Sequence, residues 1–141
     1  MSAPMQNVPV IRLWNCLLVP IQGELTDVLA DAMMDEVLHA IHVRGASGLI
    51  LDLSGVWLLD SHLCSVLSNL AGAAAFMGTG TAVCGMRAEM ALTLDSMGIG
   101  MKGATSTLTL EEALAHFGVV PTIQETGVSS EILNLLMGEK T

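Results

Sequence analysis

The chain has 141 residues carrying 5 basic and 14 acidic side chains, a formal charge of −9 at neutral pH, and its length suits one domain of ordinary size. Hydrophobic residues make up 52%, or roughly 62% once the 14 glycines are added, above the ~45–50% of an average globular domain, which excludes an intrinsically disordered chain. Five cations and four aromatics (Trp14, Trp57, Phe76, Phe117) supply neither the phosphate contacts nor the stacking platform of a nucleic-acid binder.

A core poor in aromatics must be filled by Leu, Val, Ala and ten Met, and part of so apolar a surface is expected to be buried against other chains, as a homo- or hetero-oligomer. Cys16, Cys64 and Cys84 sit singly among apolar residues, without a CxxC pair. They read as reduced, buried thiols of a cytosolic protein, and no basic segment precedes an apolar one as a secretory signal would.

In chain order, Val8–Leu13 and Cys16–Ile21 are short apolar runs with Asn15 between them, which predicts an opening hairpin. Thr26 caps a long helix whose apolar positions are Leu29, Met33, Val37 and Ile41, with Val28 and Ala32 beside them. Asp27 and Asp31 suit the positive end of that helix, His39, His42 and Arg44 the negative end, and Gly45 stops it. Gly48–Leu53 is an unbroken apolar run, the mark of a strand buried on both faces.

Leu63 to Met86 contains no charge and is long enough to span a bilayer. However, Ser65, Ser68, Asn69 and Gly72 share one helical face, and Leu63, Val66, Leu67, Leu70 and Met77 the other, before Gly78-Thr79-Gly80-Thr81 breaks the helix. The expectation is a half-buried helix, a turn and a strand (Ala82–Met86), with no membrane span. A short helix (Ala88–Met97), a strand (Thr105–Leu108) and a last helix ending at Gly118 follow, the last opened by the capping-box spacing Thr109 to Glu112. Strands alternating with helices predict βαβ units and a mostly parallel sheet. Residues 119–141 form a tail with one or two amphipathic turns (Ile132, Leu133, Leu136, Met137), either docked or an interaction segment.

Most candidate motifs have ordinary explanations. Gly98, Gly100 and Gly103 match the dinucleotide string GxGxxG, but a helix precedes it and a strand follows, the reverse of what a pyrophosphate site needs. His39 and His42 lack a third metal ligand at matching spacing, so they and His116 read as partners of helix C-termini, and no metal or other cofactor is expected. Asp60, Ser61 and His62 hold the residue types of a hydrolase triad, yet contiguous side chains diverge and cannot form a relay, which leaves a small hydrolase using Asp60, Ser61 and a distant His only as a remote alternative. The segment Asp52 to Ser61 is more informative. It leaves a buried strand and reaches a helix start, where Asp60 or Ser61 caps. At such a start a phosphate on Ser61 would meet unpaired N–H groups and positive potential. Phosphorylation would add about −1.5 to −2 charges to a loop already made acidic by Asp52 and Asp60.

The string from Leu51 to Ser61 (LDLSGVWLLDS) resembles the phosphoacceptor motif of the STAS-domain family of bacterial anti-sigma-factor antagonists, and the surrounding element order is similar too. Gly85–Gly98 and Leu108–Leu114 narrow the resemblance to the stressosome branch, of RsbS type. It covers Val8 to Gly118 and implies one STAS domain over residues 1–118: an α/β fold, a mixed, mostly parallel sheet with about four helices largely on one side. It further implies a cytoplasmic, non-enzymatic switch that assembles with RsbR-type STAS paralogues and holds an RsbT-type serine kinase. That kinase would phosphorylate Ser61 and be released, and an RsbX-type phosphatase would reset the site. On this reading Asp52, Ser54, Asp60 and His62 belong to the acceptor loop and its partner-binding surface. Thr93 matches a second acceptor of RsbR-type proteins, with a buried or capping threonine as the plainer role. Free antagonists usually follow the acceptor serine with a small residue and glycine, whereas His62-Leu63-Cys64 follow here, which favours the stressosome branch over a free antagonist.

Overall fold

The computed structural model describes residues 8–96 and 103–119. The expected tail from 120 onward and the GxGxxG string before Gly103 lie outside the described residues. The sheet begins with a hairpin, β1 (Ile11–Leu13) and β2 (Cys16–Gly23), closed by Trp14 and Asn15. The left-handed residue of this turn is Trp14 (φ 55°) rather than Asn15, an uncommon burden for a bulky side chain. Asn15 is used elsewhere: its carbonyl accepts from Ser47 N at 2.9 Å and its Nδ2 donates to Ser47 Oγ at 3.0 Å.

Helix α1 (Asp27–Arg44) starts where Thr26 Oγ1 accepts from Leu29 N and stops at Gly45, whose φ of 67° lets its N–H return to Ile41 O. Its buried stripe is Ala30, Met33, Val37 and Ile41. Leu29 is only half-buried, while Val28 and Ala32 face solvent. The small Ala30 takes the inner position because it lets the helix approach the sheet. Strand β3 (Gly48–Val56) is longer than the sequence suggests, since β2 resumes pairing after a bulge between Pro20 and Gln22 and matches Gln22 with Gly55 and Gly23 with Val56.

Helix α2 (Ser61–Phe76) buries Leu63, Cys64, Val66, Leu67, Leu70, Ala71 and Ala74. Met77, expected on that inner face, lies beyond the helix end and is exposed. Strands β4 (Gly80–Cys84) and β5 (Ala104–Thr107) and helices α3 (Ala88–Ser96) and α4 (Leu110–His116) complete the chain. At the start of α4 Thr109 Oγ1 accepts from Glu112 N, while Glu112 Oε1 reaches back to Leu108 N, one residue earlier than in the usual capping box.

The five strands lie in sequence order, with β2 to β5 parallel and β1 antiparallel at the edge. Three successive crossovers stepping the same way with the same hand must place their helices on one face. Accordingly α1, α2 and α3 pack with Leu17, Val19, Leu49, Leu51, Leu53 and Val83 in the main core. On the other face α4 packs against Cys16, Leu18, Ile50, Ala82 and Cys84. The expected α/β architecture is the observed one, and it brings the β3–α2 connection to the end of the sheet where the parallel strands terminate.

Candidate functional site

Because β3 runs on to Val56, the connection to α2 shrinks to Trp57–Asp60. Ser54 and Gly55, expected in the loop, are strand residues. Val56 and Leu59 are buried and pull the loop inward, while Trp57 and Leu58 are turned out, 77% and 56% exposed. Two large apolar side chains held in water next to a polar helix start are costly unless something covers them.

Asp60 is the N-cap of α2: its Oδ1 accepts from Leu63 N at 2.8 Å. Ser61 is therefore the first helical residue, and it is exposed. There an added phosphate faces the helix's positive end and water, and needs no repacking. Asp52 is turned away from the loop. Its Oδ1 accepts from Ser54 N at 3.0 Å and Ser54 Oγ at 2.8 Å. These two residues sit against Gly85, where a Cβ would stand 2.7 Å from Ser54 N and where φ is +76°. Glycine is required there on both counts.

His62 points toward α1, with Nε2 3.3 Å from Asp31 Oδ1 and 3.9 Å from Asp27 Oδ1. It links the starts of the two helices, a contact that reading Asp27 and Asp31 as helix-dipole partners did not foresee. Hence the carboxylate of Asp60 accepts a backbone N–H and the imidazole of His62 is turned toward α1, where its Nε2 makes no hydrogen bond, and the side chains of Asp60, Ser61 and His62 diverge. Thr93 is half-buried on α3 and its Oγ1 donates to Glu89 O at 2.9 Å, the back-bonding of a mid-helix threonine. It nonetheless lines the same cleft, of about 310 Å3, as Trp57, Leu58 and Leu59, with Arg87, Glu89 and Met90.

All three thiols are buried: Cys64 in the first turn of α2 and Cys84 at the end of β4 lie at this end of the sheet, Cys16 at the opposite end, where it pairs with Gly48. Burial pushes all three up, and Asp60's charge adds to it at Cys64. Cys84 is pushed to about 11 by burial, then by the charge and hydrogen bond of Asp52, then by Glu111. Among the described residues no group of three His, Cys, Asp or Glu side chains is placed to hold a metal ion, and no helix is long and apolar enough to cross a membrane. The outward turn of Trp57 and Leu58 and the role of Arg87 also escaped the sequence reading; for Arg87 the available signal was its position two residues after Gly85, just beyond the end of β4.

A family model described as STAS domain matches residues 7–113. The RsbT co-antagonist protein RsbRC of Bacillus subtilis (strain 168) is 31% identical over 110 residues, covering 77% of this chain and 39% of that protein. The chain thus spans about two-fifths of the length of the curated relatives it matches. Among solved structures, a serine-to-glutamate variant of RsbS from Moorella thermoacetica superposes with a TM-score of 0.72 at 26% identity, over 79% of this chain and 94% of that one. The anti-sigma factor antagonist SpoIIAA in its unphosphorylated form shares the fold, with a TM-score of 0.64 at 13% identity, over 80% of this chain and 99% of that one.

Proposed function

The chain belongs to the STAS-domain family, and from that premise we propose that it is a non-enzymatic, cytoplasmic scaffold and switch of stress signalling. In this reading it assembles with RsbR-type STAS paralogues and holds an RsbT-type serine kinase until Ser61 is phosphorylated, after which an RsbX-type phosphatase restores it. The observation that carries the proposal is the placement of Ser61: exposed, first in α2 and directly after a cap that is already satisfied by Asp60. A kinase can reach such a hydroxyl without unfolding anything, and the product carries about −1.5 to −2 new charges beside Asp60. A partner seated over Trp57 and Leu58 would feel that change directly.

The residues after Ser61 favour the scaffold over a free antagonist. Leu63 and Cys64 are core residues and His62 lies beside Asp31 of α1, so the bulky residues after the acceptor are packed into the domain. The exposed Trp57 and Leu58 suit a surface kept under a partner. Within this reading Asp60 holds the acceptor in register, Asp52 and Ser54 brace the strand end, and Thr93 is a second candidate hydroxyl, in the cleft beside Trp57 and Leu58.

The test is incubation with an RsbT-type kinase and ATP, read by mass spectrometry on wild type and Ser61→Ala, with kinase retention and co-assembly with an RsbR-type paralogue followed in parallel. Phosphate on the Ser61 peptide, absent from the variant and accompanied by kinase release, is the expected result. A protein that stays monomeric beside the paralogue and binds an anti-sigma kinase instead would establish the free antagonist. Absence of phosphate on wild type would overturn the switch.

A further inference from the structure

The ladder between β3 and β4 ends at the pair Asp52 and Cys84, yet β3 continues to Val56. Beyond Asp52 that edge of β3 has lost its neighbour, because Gly85 turns the chain away. The missing partner is replaced by a side chain: Arg87 Nη2 donates to Val56 O at 2.7 Å. Val56 is the last residue of the strand, so this bond fixes the point from which Trp57–Asp60 departs toward Ser61. Arg87 also stands 3.9 Å from Glu89 Oε1, and its stem lines the cleft with Trp57, Leu58 and Leu59. Among the described residues the other arginines, Arg12 on β1 and Arg44 in the last turn of α1, are at the opposite end of the sheet, so at the acceptor end no other described residue is an arginine or lysine.

We propose that Arg87 is a positioning residue for the acceptor loop: its guanidinium bond to the Val56 carbonyl sets the loop in the conformation in which Ser61 is presented to a kinase. Glutamine or lysine could make one donor contact. Arginine combines a planar guanidinium that reaches the carbonyl with an aliphatic stem beside the cleft, and lysine keeps a donor and a stem of similar reach. The inference rests on Ser61 being the acceptor, and the experiment separates the two.

Full-length wild type, Arg87→Met and Arg87→Lys are compared by amide hydrogen exchange and by phosphorylation kinetics with the RsbT-type kinase. In Arg87→Met, exchange in the peptide spanning 57–60 should rise about tenfold while peptides of β3 and of the α2 interior stay at wild-type rates. Its kcat at Ser61 should fall about tenfold with KM little changed, because the loop's apolar contact surface remains but its hydroxyl is misplaced. Arg87→Lys should recover most of both. Uniformly faster exchange across the protein would reduce Arg87 to a fold-stabilising residue and overturn the proposal. So would a local exchange change with unaltered kcat, or no change in either. If wild type takes no phosphate on Ser61, the functional reading falls, and wild-type exchange rates at 57–60 in Arg87→Met would still overturn the positioning role.

Discussion

The two ends of the parallel sheet are built on opposite principles. At the end where the strands begin, the connections leading into β2, β3 and β4 are stitched together: Ser47 N donates to Asn15 O, Gly80 N to Ser47 O, and the buried Thr79 Oγ1 to Ala46 O at 2.7 Å. Gly48 and Gly80 open a slot for the ring of Phe117, which closes that end from the α4 side. At the end where the strands finish, Gly85 N donates to Leu108 O, but the β3–α2 connection itself is held by Arg87 at Val56 and by Asp60 at Leu63, and Trp57, Leu58, Asp60 and Ser61 stand in solvent. Polar groups buried at the first end must be paired there, since their cost when orphaned exceeds their gain when bonded. Exposed groups at the other end are available to a partner. In the proposed reading the first end serves stability and the second recognition.

The largest expected effect lies at the closed end. A Cβ on Gly48 would meet Phe117 Cγ at 2.5 Å, whereas one on Gly80 would meet Phe117 Cε1 at 3.3 Å. Gly48→Ala should therefore cost about 3 kcal/mol and Gly80→Ala well under half of that, measured by urea unfolding. Because the clash is with one ring, adding Phe117→Ala to Gly48→Ala should cost markedly less than the separate losses predict, and strict additivity would break the assignment of the slot. Next in size is Thr79→Val, which keeps the shape but orphans the Ala46 carbonyl. The expected loss is about 2 kcal/mol, and a variant as stable as wild type would show that this end is not secured by its hydrogen bonds.

Much of this was legible in sequence. Element order, the caps Thr26 and Thr109, a cap at Asp60 or Ser61 that the structure assigns to Asp60, and the stop at Gly45 depend on neighbours within four residues, and short-range chemistry sets them. The motif around Ser61 was legible because its residue types are themselves the signal. What escaped depends on contacts across long separations: the prolongation of β3 by a bulge in β2, the pairing of His62 with Asp31, and the reach of Arg87 back over 31 residues to Val56. In α1, Met33, Val37 and Ile41 face inward as expected, and only the first turn differs, with Ala30 more deeply buried than Leu29. Val28 and Ala30 are both apolar, and only the approach of the sheet decides that the smaller one faces inward.

A titration sharpens the comparison from the acceptor side, where buried chemistry underlies the exposed loop. The thiol of Cys84 is raised from 9.0 to about 11 in the folded protein, so between these values the unfolded chain has released a proton that the folded one still holds. Unfolding thus becomes progressively easier as pH rises through that window, while below it the full contribution is present. Urea midpoints from pH 8 to 11 should decline more steeply for wild type than for Cys84→Ala. Parallel curves would place the pH dependence elsewhere.

The smallest effect on stability is the most informative, because it separates two adjacent residues. Asp60→Ala removes the side chain that satisfies Leu63 N and should cost about 1 kcal/mol in urea unfolding. Ser61→Ala alters an exposed first-turn position where alanine is a good helix former, and should stay within about 0.5 kcal/mol of wild type. The ranking reverses for phosphorylation. Asp60→Ala retains the hydroxyl and should still be modified, more slowly because the start of α2 frays, whereas Ser61→Ala should take no phosphate at this helix start. If Ser61→Ala were instead the more destabilised of the two, Ser61 would be part of the framework that holds α2, and the open end of the sheet would be structural like the closed one.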